Sequence, residues 1–290
     1  MKPLKLLPLL ALAIVSLAVA ACGGDDEKSS ASATPAGAAS AAASCDKSSL
    51  ALKTDGQLTV GTDKPAYPPY FEDDDPKNGK GFESAVAYAV AEQLGFGKDE
   101  VKWTVVPFNS SYAPGPKQFD FDINQISITP QRAKRVDFSE PYFTAPQAVI
   151  APAGSPALGA KSLADLADKK IGVQVGTTSL EAVEASIKRT QQPLVFNDSN
   201  DVVRALDGNR VDAAVVDLPT AFYLTAAELK DSKIVGQFAA PGGDEWGLLL
   251  EKDSKLTDCV NQAVKKLADE GELKRLQDQY MGGEAAPELN

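Results

Sequence analysis

The chain has 290 residues, of which 43% are apolar, and its 29 Lys and Arg against 40 Asp and Glu give a formal net charge of −11. This length suits one large or two modest domains, and the acidic balance argues against nucleic acid as the main partner, because nucleic-acid binding needs a basic face. The absence of histidine excludes Ser-His-Asp and Cys-His hydrolysis, and three cysteines without a CxxC pair argue against a thiolate zinc site.

The first segment is typical of an export signal. Lys2 and Lys5 precede an apolar run over 6–21 that is short for a bilayer span. The run ends in Val19-Ala-Ala-Cys22, which resembles a bacterial lipobox, where the cysteine is lipidated and becomes the first mature residue. Ordinary signal cleavage after an A-x-A-like site is the alternative. We predict a signal peptide over 1–21, lipidation of Cys22 and a position on the extracellular face of a bacterial cell membrane.

The segment over 22–50 is predicted to be a disordered, lipidated tether. Most of it is Ala, Ser, Gly and acidic residues without apolar periodicity, so it cannot bury enough surface to offset the entropy of ordering. Outside the membrane, oxidised cysteine is allowed. Cys45 and Cys259 then form a disulfide candidate that would tie the start of the domain to its C-terminal helix, with two free thiols as the alternative.

Strands and helices alternate from residue 58 onward. The run 58–62 is of strand type, Val86, Val90 and Leu94 share one face of a helix, and 101–105 alternates as a strand does. Further strands are predicted at 171–175 and 211–216, and further helices over 180–187, over 202–206 and from 260 onward, with an interruption near Gly271. Regular alternation of this kind predicts an α/β fold with mostly parallel sheets.

Polar residues follow several of these strands, where ligands of open parallel sheets bind. Asp63 and Asp217 each come directly after a strand, although either could simply cap a helix. The loop Gly176-Thr-Thr178 lies at a helix start, whose unpaired N–H groups can hold a carboxylate. Plain N-capping by one of its two threonines is the alternative.

Arg132 lies where a cation is locally unfavourable. Thr129 is predicted to cap a helix that begins at Pro130, so Arg132 would lie in the first turn and oppose the helix dipole. Such a residue is easier to understand if it meets an anion. An arginine, an anion-ready loop and two aspartates together suit a ligand that carries both a carboxylate and an ammonium group.

Aromatic residues complete the candidate site. Tyr67, Tyr70 and Phe108 lie in loops after the first two strands, where rings often cover the apolar part of a small ligand. Peripheral core packing is the alternative for each ring.

Several motifs occur in the order of a known family over residues 52–282. They are Gly61-Thr-Asp63 with Tyr67-Pro-Pro-Tyr70, Gly81-Phe-Glu83, Ser127-Ile-Thr-Pro-Gln-Arg132 running into Val136-Asp-Phe-Ser139, Ile171-Gly-Val-Gln-Val-Gly-Thr-Thr178, and Gly208-Asn-Arg-Val-Asp-Ala-Ala-Val-Val-Asp217. With them the chain resembles the extracellular solute-binding proteins of the polar amino-acid class, the receptors of ABC importers.

The resemblance implies a type II periplasmic-binding-protein-like fold, in which two α/β lobes joined by two crossing strands close on the ligand. The first lobe would be built from 51–145 and 243–290, and the second from 146–242. Partners would be a small-molecule amino acid and the ABC permease, with the membrane contacted through the N-terminal lipid only, no nucleic acid, and a monomeric state.

The resemblance also implies roles for individual residues. Arg132 would grip the ligand α-carboxylate, helped by Ser127 and the Thr178 backbone, and Asp217 would take the α-ammonium group. Arg132 and Asp217 would come from different lobes, so one zwitterion could contact both only in a closed cleft.

Departures from the family pattern bear on specificity. Glu83 stands where Asp is usual, and Asn124 and Gln125 are expected near the ligand side chain. Because Arg132 is the only cation placed in the pocket, we expect a neutral polar or cationic amino acid rather than glutamate or aspartate.

No enzymatic activity, cofactor or metal ion is expected. Two alternatives remain open. One is an enzyme of this fold, such as an amino-acid dehydratase with Glu83 or Asp122 as general acid, and the other is a ligand sensor for a separate signalling partner.

Overall fold

A computed structural model describes residues 44–282 and 285–290 of the chain. The predicted signal peptide, Cys22 and most of the predicted tether lie outside the described residues. Within the described part of the chain, no helix combines the length and apolar composition that a membrane span requires.

The described residues form ten strands and seven α-helices. The strands are β1 (Leu58–Thr62), β2 (Val101–Val105), β3 (Phe121–Asp122), β4 (Val136–Thr144), β5 (Gln147–Pro152), β6 (Ile171–Gln174), β7 (Leu194–Phe196), β8 (Ala213–Asp217), β9 (Ser232–Phe238) and β10 (Glu245–Glu251). The helices are α1 (Phe82–Gln93), α2 (Phe108–Ser111), α3 (Thr178–Ser186), α4 (Ser199–Asp207), α5 (Leu218–Tyr223), α6 (Thr257–Asp269) and α7 (Glu272–Tyr280). The predicted strands at 58–62 and 101–105 are confirmed, and so is the interruption of the C-terminal helix at Gly271.

The strands form two sheets of five. The first has the order β2-β1-β3-β10-β4, with β1, β2 and β3 parallel and β10 antiparallel to its neighbours. The second has the order β7-β6-β8-β5-β9, in which β6 is parallel to β7 and β8, whereas β5 is antiparallel to β8 and β9. We call the part built around the first sheet the first lobe and the part built around the second sheet the second lobe.

Each lobe has its own apolar core. In the first lobe, one face of the sheet packs against α1, α6 and α7, and the fully buried Trp246 lies in this core. The second sheet is covered on both faces by separate apolar clusters. The apolar runs of β5, β6 and β8 are buried for this reason, as is usual for strands between two helical layers.

The chain crosses between the sheets at two adjacent places. One crossing joins β4 to β5 and the other joins β9 to β10. The Ala145 N–H donates to the Asp244 carbonyl oxygen at 2.9 Å, so the two crossing segments are hydrogen-bonded to each other. Two sheets linked in this way correspond to the two-lobed fold that the resemblance implies.

The C-terminal residues make a further connection. The predicted first lobe extends to residue 290, but Pro287 and Leu289 exchange backbone hydrogen bonds of 2.7 and 2.8 Å with Gln237 of β9 in the second lobe. Gly236 permits this approach, because a Cβ there would lie 2.6 Å from the Pro287 carbonyl oxygen. Leu289 is buried in the core of the second lobe, which explains why the tail leaves the first.

The segment 44–50 also differs from the sequence prediction. The predicted disordered tether reaches residue 50, whereas Lys47–Ser49 form a 3₁₀ turn. The predicted disulfide between Cys45 and Cys259 is confirmed, with 5.4 Å between the two Cα atoms. The disulfide holds this segment against α6, so residues 45–49 belong to the first lobe.

We expect the double substitution Cys45→Ser with Cys259→Ser to lower the free energy of unfolding by about 2–4 kcal/mol, because the bridge closes a long loop and restricts the unfolded chain. Urea unfolding with and without a thiol reductant measures the effect. The reductant should destabilise the wild-type protein and leave the double variant unchanged, and equal sensitivity of the two proteins would contradict the prediction.

Candidate functional site

A cavity of about 450 Å3 lies between the two lobes. Eight of the ten predicted ligand-binding residues line it. They are Asp63, Tyr67, Phe108, Asn124, Gln125, Ser127, Thr178 and Asp217. The other two, Tyr70 and Arg132, lie behind the cavity wall.

Arg132 is buried between the lobes, with 7% of its surface exposed. Its Nη1 donates to the Ser127 carbonyl oxygen at 2.8 Å in the first lobe, and its Nη2 donates to the Gly176 carbonyl oxygen at 2.9 Å in the second. The guanidinium also lies 5.5 and 4.7 Å from the ring centres of Phe108 and Tyr112. Burial lowers the pKa of Arg132. A buried cation therefore lies directly behind Ser127, with neutral carbonyl groups as its hydrogen-bond acceptors.

The local structure at Arg132 differs in part from the prediction. Thr129 Oγ1 accepts a hydrogen bond from the Arg132 N–H at 3.2 Å, as a cap would. The segment is however a 3₁₀ turn over Arg132–Lys134 and not a helix beginning at Pro130. The turn is too short for a substantial dipole, so burial is the main reason why this cation calls for an anion.

Asp217 ends β8 and occupies the N-cap position of α5. Its side chain makes no capping hydrogen bond, so the alternative of a purely structural cap does not describe it. Instead its Oδ1 accepts from Gln147 Nε2 at 2.7 Å. Burial raises the pKa of Asp217 well above its usual range, and the nearby charge of Asp244 raises it further. The carboxylate borders the cavity and can accept hydrogen bonds from a ligand.

The helix start opposite Ser127 combines capping with contacts across the cleft. Thr177 caps α3, since its Oγ1 accepts from the Leu180 N–H at 3.2 Å, as the structural alternative predicts. Thr178 Oγ1 lies 3.1 Å from Ser127 Oγ and donates to Asp244 Oδ2 at 2.9 Å. The hydroxyl groups of Ser127 and Thr178 thus meet from opposite lobes beside Arg132.

The aromatic residues also join the lobes. The Tyr67 hydroxyl donates to Asn200 Oδ1, and the Tyr67 and Tyr223 rings lie 6.2 Å apart. The Tyr70 hydroxyl lies 2.8 Å from Thr220 Oγ1, while its ring packs on Trp246 in the core. Tyr67 therefore lines the cavity, whereas Tyr70 mainly supports its wall.

Asp63 has a structural role beside the cavity. Its Oδ1 accepts from the Lys64 N–H at 2.7 Å, and its Oδ2 accepts from the Phe108 N–H at 3.0 Å. The carboxylate therefore orients the loop that carries Phe108 while its charge remains at the cavity wall.

Glu83, which departs from the family pattern, binds Gln125, which was expected near the ligand side chain. The Glu83 side chain is 0% exposed, and its Oε1 accepts from the Gln125 N–H at 2.7 Å. Gln125 Nε2 and the Tyr142 hydroxyl also donate to this carboxylate. Burial raises the pKa of Glu83 to about 7, although the three hydrogen bonds oppose the shift. The Gln125 amide is thus held by Glu83 and not directed at a ligand.

Other functional residues were missed at the sequence level. Gln147 Nε2 donates to Asp244 Oδ2 at 2.6 Å as well as to Asp217, so these three side chains form one cluster. Gln147 begins β5 and Asp244 precedes β10, where antiparallel strands start, so the rule about carboxyl ends of parallel strands does not find them. Their only sequence signal is a polar residue beside each crossing.

The cavity wall carries more negative than positive charge. Its charged lining residues are Asp63, Lys64, Asp198, Asp217 and Glu228. Lys64 Nζ lies 3.0 Å from Asp74 and is therefore already paired. Among the described residues, no group of three or more Asp, Glu or Cys side chains is arranged to hold a metal ion. The wall suits a cationic ligand group.

We expect the wild-type protein to lose stability relative to the Glu83→Gln variant as the pH rises from about 4.5 to about 7. The raised pKa means that the folded state holds a proton in this window that the unfolded state has lost, so stability declines with pH and levels off above about 7. The relative loss should approach about 3 kcal/mol.

Urea unfolding at several pH values measures this difference. In the Glu83→Gln variant, the hydrogen bonds with Gln125 are retained if the side-chain amide of Gln125 flips. Glu272→Gln, on the surface of α7, is the control and should show no such change across this window. A constant difference between wild type and Glu83→Gln would contradict the prediction.

Comparison with known proteins agrees with this geometry. The sequence model of the bacterial extracellular solute-binding proteins, family 3, matches residues 58–283. The arginine-binding extracellular protein ArtP of Bacillus subtilis is 32% identical over 232 residues, which cover 79% of this chain and 87% of that protein.

Solved structures are also similar. An ancestral arginine-binding protein bound to glutamine has a TM-score of 0.67 and 32% identity, with 79% of this chain and 100% of that one covered. The ancestral amino acid-binding protein AncCDT-1, a precursor of cyclohexadienyl dehydratase, has a TM-score of 0.62 and 30% identity, with 78% and 95% covered. These comparisons confirm the resemblance and the two-lobed type II fold: the chain belongs to the bacterial extracellular solute-binding proteins of family 3.

Proposed function

We propose that this protein is a lipid-anchored extracellular receptor that binds a polar or cationic amino acid between its lobes and delivers it to an ABC import permease. The observation that carries this proposal is a cavity between the lobes with the buried Arg132 guanidinium behind one wall and the Asp217 carboxylate on another. A free amino acid carries the two groups that complement them.

Arg132 would bind the ligand α-carboxylate. Its Nη1 and Nη2 atoms donate hydrogen bonds to neutral carbonyl oxygens. A ligand carboxylate would accept hydrogen bonds from the same two atoms and would also supply a full negative charge. The Ser127 hydroxyl and the start of α3 at Thr178 would supply further donors. Asp217 would accept from the α-ammonium group, which is a donor of three hydrogen bonds.

Binding would favour the closed state. Ser127 and Arg132 come from the first lobe, whereas Thr178 and Asp217 come from the second. One zwitterion can contact all four only when the lobes are together, so the ligand shifts the equilibrium toward closure. We place the hinge at the crossings, near 145–146 and 242–243, as the predicted domain boundaries do, and the closed form is the one we expect the permease to recognise.

The negative wall favours a cationic side chain. Asp198 and Glu228 line the cavity together with the aromatic pair formed by Tyr67 and Tyr223, and the Tyr223 hydroxyl donates to Glu228 Oε1 at 2.8 Å. A guanidinium or ammonium group there would meet carboxylates and ring faces. ArtP is named as an arginine-binding protein, and the ancestral arginine-binding protein is bound to glutamine in its structure. Both relatives support a cationic or neutral polar ligand for this chain.

The anchoring and import roles rest on the sequence and the family. The predicted signal peptide over 1–21 and the lipidated Cys22 would hold a monomeric receptor at the cell surface. Membership of an extracellular solute-binding family supports delivery to a permease, and the alternative of a sensor would use the same closed state with another partner.

We propose a binding role and not an enzymatic one. AncCDT-1 is described as a precursor of a dehydratase, which keeps the enzymatic alternative relevant. The two candidate general acids, Glu83 and Asp122, are however 0% exposed, and the Glu83 carboxylate already accepts three hydrogen bonds from within the first lobe. Their burial therefore favours a structural role over general acid catalysis.

We expect Arg132→Ala to abolish the thermal shift that amino acids produce in the wild-type protein, because Arg132 is the only buried cation beside the cavity among the described residues. A thermal-shift screen of the common amino acids measures this effect. Arg135→Ala is the matched control, since this exposed arginine lies three positions away and should leave the shifts unchanged. An undiminished shift in Arg132→Ala would contradict the proposed carboxylate site.

We expect L-arginine or L-lysine to bind at least about tenfold more tightly than L-glutamate, a difference of about 1.4 kcal/mol. The reason is that a glutamate side chain would add an unpaired negative charge to a wall that is already acidic. Isothermal titration calorimetry at neutral pH measures the order of affinities. Glutamate as the tightest ligand would overturn this prediction.

A further inference from the structure

One buried amide connects two carboxylates at the crossings. Gln147 Nε2 donates to Asp217 Oδ1 at 2.7 Å and to Asp244 Oδ2 at 2.6 Å. Because both oxygens accept from the same nitrogen atom, the distance between Asp217 Oδ1 and Asp244 Oδ2 is at most the sum of these two hydrogen-bond lengths. Gln147 is 0% exposed and Asp244 is 2% exposed, so water screens this cluster only weakly.

The described structure places no cation on either carboxylate. Arg132, the nearest buried cation, donates to the Ser127 and Gly176 carbonyl oxygens. Asp244 Oδ2 accepts only from neutral groups, Gln147 and Thr178, and its Oδ1 is buried without a hydrogen-bond partner among the described residues. Neither Asp217 nor Asp244 forms an ion pair within 44–282 and 285–290. No cation among the described residues therefore balances the negative charge of the Asp217 and Asp244 carboxylates.

Two carboxylates in this arrangement do not both carry a full charge at low cost. Burial disfavours the charged forms, and each negative charge disfavours the other. The pKa of Asp217 is raised well above its usual range by burial first and by Asp244 second, and Glu83 adds to the shift while Arg132 opposes it. The buried Tyr70 hydroxyl also faces Asp217, and it is neutral because burial and the charge of Asp217 raise its pKa.

We propose that Asp217, with the Asp244 carboxylate behind it, forms a two-carboxylate site for the α-ammonium group of the ligand, and that ligand binding expels one proton from Asp217 into solvent. This inference rests on the proposed function. In the empty closed cleft, a proton on Asp217 lowers the repulsion between the carboxylates. The ammonium group takes its place and bonds to Asp217, so no covalent bond forms or breaks apart from the loss of this proton.

Asp244 acts in this scheme as a positioning residue. It does not line the cavity, and it reaches the ligand site through Gln147, through its charge and through Thr178 Oγ1. Because Thr178 belongs to the second lobe and Asp244 to a crossing segment, the same carboxylate also helps to orient the start of α3. Its charge makes the affinity for the ligand depend on pH.

The test is calorimetric titration with whichever of L-arginine, L-lysine and L-glutamine gives the largest thermal shift. Titrations in two buffers of different ionisation enthalpy, from about pH 5 to about pH 8, count the protons released per ligand bound. The wild-type protein should release close to one proton in the acidic part of this range, and its Kd should rise by up to about tenfold for each pH unit lost.

Asp244→Asn tests the role of Asp244 itself. Removing the neighbouring charge lowers the pKa of Asp217, so the variant should release fewer protons and show a flatter dependence of Kd on pH. Its affinity should fall most at the alkaline end, because Asp217 of the wild type holds no proton there and the Asp244 charge attracts the ammonium group in full. Asp231→Asn, an exposed aspartate of the second lobe, is the matched control and should behave as the wild type does.

The outcomes separate this inference from the proposed function. If none of the three amino acids binds, this inference fails, and the proposed function fails with it when the screen of the common amino acids also finds no ligand. If an amino acid binds without proton release by the wild-type protein, only the two-carboxylate site is wrong. An Asp244→Asn variant that folds and keeps the wild-type pH profile would limit Asp244 to a structural role and overturn the inference, and if that variant does not fold, the wild-type proton count decides.

Discussion

The structure depends on one buried cation that is shared by two lobes. Arg132 donates to a carbonyl oxygen of each lobe, so its guanidinium contributes to holding the cleft closed. Carbonyl dipoles compensate a buried charge only in part, and the residual cost of burial is what an anionic ligand group can relieve. In the function that we propose, closure of the lobes and recognition of a carboxylate are two consequences of the same interaction.

Negative charge on the other side of the cavity follows the same logic. Asp217 and Asp244 share one neutral amide donor, and the lining acids outnumber the one lysine. An uncompensated buried carboxylate lowers the stability of the empty protein, and an ammonium group restores it. Glu83 shows the structural counterpart, because its three hydrogen bonds leave no room for a ligand. The buried Glu83 thus supports the cavity wall, whereas Asp217 and Asp244 have no cationic partner among the described residues.

The connections between the lobes lie together, and this arrangement permits them to move as units. Both crossings meet where Ala145 donates to Asp244, and the C-terminal residues pair with β9 of the second lobe. The disulfide joins the start of the first lobe to α6, and neither cysteine lines the cavity. Each lobe keeps its own apolar core, so opening the cleft would break polar contacts between the lobes and expose little core surface.

Local patterns in the sequence predicted the alternating elements, the strands that lead to Asp63 and Asp217, and the candidate residues around Arg132. The strands and helices are confirmed because periodicity acts over a few residues, whereas the roles of the candidate residues stay predictions. Only the tertiary structure decided that Arg132 lies in a 3₁₀ turn between two lobes, that Gln125 is bound by Glu83, and that the C-terminal tail pairs with β9. It also brought the Asp244 carboxylate onto the side-chain amide of Gln147, 97 positions away in the chain. Such contacts depend on which strands become neighbours and where the chain crosses between sheets, and no local pattern encodes a hydrogen bond between residues so far apart in the chain.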